Sequence, residues 1–148
     1  MSRWNDKAEA IACMLRDVEI SEGKLLLEGV GVMINRTEKL LEQVGEVVGK
    51  ADAKGCVIIK HLGGKNPDRK SSKLRLGARY SISLWCQEMV YSGMPPDDLS
   101  ELMGDALHGW VDPRPGQLIH RLEVDSIIIV PAKAGFLVYE IIAEVSRV

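Results

Sequence analysis

The sequence predicts an α+β fold: a mainly antiparallel sheet with helices packed on one face, two β-hairpins, and the element order α-β-α-β-β-α-β-β. Three observations carry this prediction. Stretches with apolar residues at helical spacing are interspersed with strand-like runs. Two pairs of those runs flank Gly- and Pro-containing loops, as hairpin arms do. Hydrophobic residues make up 46% and charged residues 27% of 148 residues, which suits one domain spanning 1–148 with a core of its own.

Residues 2–18 read as an amphipathic helix. Trp4, Ala8, Ile11, Ala12, Leu15 and Val18 recur at helical spacing, with Ser2 placed to cap. A polar linker, 19–22, ends at Gly23. Residues 25–34 alternate around two glycines and read as an irregular strand, because interior Gly weakens pairing. Asn35 and Glu38 have the spacing of a capping box. They open a second helix whose stripe is Leu40, Leu41, Val44, Val47 and Val48, ending between 49 and 55.

Cys56-Val57-Ile58-Ile59 is a continuous apolar run, expected of a strand buried on both faces. Residues 63–73 form a polar loop. Leu74, Leu76, Ala78, Tyr80, Ile82, Leu84 and Cys86 then alternate with Arg75, Arg79, Ser81, Ser83 and Gln87, so the two runs make a long hairpin. Pro95-Pro96-Asp97-Asp98 opens a third helix, with acids suited to its N-terminal dipole. Its stripe runs Leu99, Leu102, Met103, Ala106, Leu107 and Trp110, and the segment 112–116 breaks it. Residues 118–130 and 136–145 form the closing hairpin around 131–135.

The formal net charge of -2 supplies no global basic field for nucleic acid. Three scattered cysteines, Cys13, Cys56 and Cys86, fit buried reduced thiols better than a disulfide framework. The longest apolar run, Ile127 to Val130, is far below the roughly 20 residues of a membrane span. The first residues carry no signal-peptide core, so the expected compartment is cytosolic.

No catalytic apparatus stands out. Gly63-Gly64-Lys65 invites a phosphate-loop reading, but Asn66-Pro67 follows the lysine and a strand comes next, so both spacing and context fail. His61, His108 and His120 lack partners at metal-ligand spacing; Asp105 and Glu123 are the nearest carboxylates. No serine sits in a nucleophile elbow. The expectation is a protein that is not an enzyme, with no catalytic residue, cofactor or metal. An enzyme using His61 or His120 as base is the competing class.

The segment 60–79 carries Lys60, Lys65, Arg69, Lys70, Lys73, Arg75 and Arg79 against Asp68 alone, which leaves the remaining chain acidic. It reads either as a solvated loop or as an electrostatic contact surface toward an acidic face of another copy. A nucleic-acid-binding hairpin is a third reading, weakened because residues 62–79 hold no aromatic side chain to stack on bases. Trp85 has two readings: cover for its own domain, or an exposed anchor for a partner. Trp110 is expected in the core.

An N-terminal helix, a long hairpin with a polar tip, a helix ending in Ala106-Leu107-His108-Gly109-Trp110 and a closing hairpin together resemble the tail terminator (tail-completion, minor tail) proteins of long-tailed phages and prophages. The resemblance implies a structural protein that forms a hexameric ring on the tail tube. Its partners would be further copies, the tube protein and the head-side connector, with no membrane and with DNA only passing through. It implies assembly in the host cytoplasm and residence in the virion tail. A neck or head-completion role is the alternative. Lys65, Arg69, Lys70, Lys73, Arg75, Arg79 and Trp85 are the candidate interface residues, with a mobile basic hairpin loop expected at 63–75.

Overall fold

The fold was obtained as a computed structural model that describes residues 3–34, 55–65, 77–87, 95–113, 121–133 and 136–145. Helix α1 (Arg3–Arg16) presents Ala8, Ile11, Ala12 and Leu15, all buried, as one stripe. Asp6 in its first turn and Arg16 in its last complement the helix dipole.

The segment after α1 departs from the expected linker and single strand. Glu19–Ser21 (β1) pairs with Lys24–Leu25 (β2) in a small antiparallel hairpin, turned by Gly23 at φ 74°. Leu26 and Leu27 are drawn into the core. Gly29, at φ 77°, then redirects the chain into β3 (Val30–Ile34). A left-handed residue cannot continue a strand, so residues 25–34 do not form one. The expected helix over 36–49 lies outside the described residues.

Strands β4 (Gly55–Lys65) and β5 (Gly77–Gln87) form the expected long hairpin, with β4 running past the predicted Ile59 as far as Lys65. Its register shifts between His61 and Gly63, where Gly63 takes φ 90°. Helix α2 (Pro96–Leu107) begins on Pro96 and ends earlier than the stripe suggested: Gly109, at φ 84°, turns the chain. Strands β6 (Leu122–Lys133) and β7 (Phe136–Val145) complete the closing hairpin.

The main sheet is five-stranded, in the order β3-β4-β5-β7-β6. Only β3 and β4 pair in parallel; the other neighbours are antiparallel. This is the expected α+β architecture. Both described helices lie on one face, where Ile11, Leu15, Val57, Ile59, Tyr80, Ile82, Leu84, Met103, Leu107 and Ile141 share one core. Of the predicted apolar face of β5, Tyr80, Ile82 and Leu84 lie in this core with Ala78 against it, Cys86 is buried, and Leu74 and Leu76 lie outside the described residues.

The opposite face differs from its polar pattern. Cys56, Ile58, Trp85 and Val138 form a second buried cluster, with Phe136 set edge-on to Trp85 at 6.1 Å. Ser83 is buried with them: its Oγ accepts from Trp85 Nε1 (2.9 Å) and donates to the Ile58 carbonyl (3.3 Å). A hydroxyl with both roles filled is tolerated in an apolar layer, which is why a polar-looking face is buried here.

Candidate assembly surface

Among the described strands β6 pairs with β7 alone, so beyond its start at residues 122–124, where residues 108–110 bond to it, it forms one edge of the sheet. Three consecutive isoleucines sit on that edge with substantial exposure: Ile127 38%, Ile128 46% and Ile129 68%. A long edge strand with apolar side chains offers unpaired backbone groups to another chain, and proteins normally protect against this. The opposite edge is protected. Strand β3 is five residues long, and Arg16 Nη2 donates to the Val32 carbonyl at 2.6 Å.

The β6 edge is held firmly against α2. Gly109 N donates to the Leu122 carbonyl (2.7 Å), and Leu122 N to the Trp110 carbonyl (2.9 Å). His108 follows α2; its Nδ1 accepts from the Val124 N–H at 3.1 Å. That contact lies where the β6 register shifts between Val124 and Ser126. Gly104 permits the close approach, since a Cβ there would stand 3.2 Å from Ile127 Cδ1. At the other end of α2, the Tyr139 hydroxyl on β7 donates to Asp97 Oδ1. That bond first, then burial, pushes the Tyr139 phenol up to about 12.

Between α2 and β6 runs an open groove of about 460 Å³, lined by Glu101, Gly104, Asp105 and His108 from the α2 side and by the apolar Val124 and Ile127 of β6. Asp97, Asp98, Glu101 and Asp105 on α2, with Asp125 on β6, are all exposed, so this flank is acidic. Apolar side chains beside carboxylates suit a Lys or Arg side chain, whose methylene stem packs while its charge meets the carboxylates.

Lys65 ends β4, and Arg69, Lys70, Lys73 and Arg75 lie outside the described residues. Arg79 is half exposed on β5 and ion-paired with Glu144 of β7 (2.9 Å). Trp85, at 4% exposure, covers its own domain and is no exposed anchor. Trp110 is only partly buried. It lines a second groove, of about 510 Å³, with Cys13 and Met14 of α1.

His61 and His108 make local contacts. His61 sits edge-on to Tyr80 at 5.3 Å, and its Nδ1 accepts from the Gly63 N–H (3.1 Å), while burial lowers its pKa. His120 lies outside the described residues. Among the described residues, no group of three or more His, Cys, Asp or Glu side chains is placed to hold a metal ion. The isoleucine edge went unnoticed in the sequence, although the apolar run 127–130 was its signal. No protein-family model matches the chain, and no curated protein matches it.

Proposed function

We propose that this is a non-enzymatic structural protein that assembles as a ring on the end of a phage tail tube, stops tube growth and offers a surface to the head-side connector. The observation that carries the reading is the β6 edge, where Ile127, Ile128 and Ile129 stand exposed beside the acidic flank of α2. An edge of this kind is suited to association between chains. A head-to-tail contact between unlike surfaces of identical copies closes into a ring when its rotation divides the circle. The element order and the Leu107-His108-Gly109-Trp110 step, which resemble those of tail terminators, add support.

Electron microscopy of particles from a phage or prophage deleted for this gene tests the reading. Over-long tubes or unattached tails, corrected by complementation, are the expected result. Regular tails beside unjoined heads would move the protein to the neck. Normal virions would refute a structural role.

A further inference from the structure

We propose that the groove between α2 and the outer edge of β6 receives residues 73–76 of a second copy, laid alongside β6 as an added strand with Lys73 and Arg75 at Glu101 and Asp105. This rests on the self-assembly proposed above and specifies its contact. The segment Lys73-Leu74-Arg75-Leu76 alternates cation and leucine, so an extended chain puts both cations on one side and both leucines on the other. The groove has the matching pattern. Glu101 and Asp105 are four residues apart on a helix, about 6 Å along its axis. Alternate residues of a strand are about 6.7 Å apart. Val124 and Ile127 line the same groove as the two carboxylates and take the methylene stems.

The two leucines then fall on the other side of the sheet, where Ile128 is exposed and pairs in register with Glu140 of β7. One added strand thereby covers apolar surface on both sides and fills the backbone groups of the edge. Charge agrees: the donor segment belongs to the strongly basic stretch 60–79, and the acceptor flank carries five exposed carboxylate side chains, Asp97, Asp98, Glu101, Asp105 and Asp125.

The donor is a second copy and not the same chain. Gly77 begins β5, and β7 and β6 intervene before the outer flank of β6. That flank lies three strand spacings away, about 14 Å. A fully extended chain carries residue 75 at most about 7 Å from Gly77. The same chain therefore cannot place 73–76 along β6 beside Ile127.

Sedimentation velocity on the full chain tests this with two reversals, E101K/D105K on the acceptor and K73E/R75E on the donor, each checked for native circular dichroism. Wild type is expected to associate with rising concentration. Each variant alone should stay monomeric at about tenfold the concentration at which wild type assembles, because like charges now face each other. An equimolar mixture should assemble again, since alternating copies present only matched pairs. Assembly of either variant like wild type, or a mixture that stays monomeric, would overturn the contact while leaving the capping reading to the deletion particles. Wild type that is monomeric at every concentration would also overturn it.

Discussion

Replacing Asp112 with Ala should destabilise the fold more than any exposed charge change. Asp112 Oδ2 lies 2.8 Å from Lys7 Nζ, joining α1 to the chain beyond α2, and the side chains of Lys7 and Asp112 are only 13% and 1% exposed. Removing one partner of a buried pair typically costs 3–5 kcal/mol, because the remaining charge loses a close counter-ion in a low-dielectric site. Lys7 retains some contact with water, so the low end applies, about 3 kcal/mol. For a chain of this size that corresponds to a fall in Tm of about 6–12 °C. Urea denaturation followed by circular dichroism measures it directly. The double variant K7M/D112L removes both charges together and should recover most of the loss. A cost below about 1 kcal/mol for D112A, or a double variant as unstable as the single, would refute this view of the pair.

Three further expectations concern the core and its edges. Tyr139→Phe removes the bond to Asp97 and should cost about 1.5 kcal/mol in denaturant melts. Because the folded phenol is raised to about 12, that contribution is complete below its ordinary value near 10 and lost as pH rises through about 12; an absorbance titration of tyrosinate reads the midpoint. Gly55→Ala would place a Cβ 2.5 Å from the Trp85 carbonyl oxygen and should cost about 3 kcal/mol, whereas Gly63→Ala meets nothing within 4 Å and should cost only the left-handed strain of about 1 kcal/mol. Equal losses in chemical denaturation would contradict the distinction. Burial holds the Cys56 thiol up to about 12 and the Cys86 thiol up to about 11, while Cys13 is exposed. Alkylation of the native protein at pH 8 should therefore add one label by intact mass, and two or three rapid additions would contradict the packing.

Local patterns made much of this fold legible. Tyr80, Ile82, Leu84 and Cys86 alternate strictly, and all four are buried on one side of β5. The Pro-Pro-Asp-Asp start of α2 and the stripe Leu99, Met103 and Leu107 were equally plain, because capping and burial act within a few residues. Chain reversals at Gly29 and Gly109 were not legible, since glycine permits a left-handed conformation without demanding it. Strand order is a long-range property: Ile127, Ile128 and Ile129 look like an interior strand until β6 is seen to have a neighbour on one side only among the described strands. For the same reason the sequence showed the cationic segment, but not the groove lined by Glu101, Asp105 and Ile127.

The most direct test of the β6 edge as the assembly surface is complementation of the gene deletion by Ile129→Lys, scored as tail length by electron microscopy. Ile129 is 68% exposed, so this variant should fold and accumulate like wild type. Folded protein with tails that stay over-long or unattached is the predicted result. Tails of regular length joined to heads would contradict it.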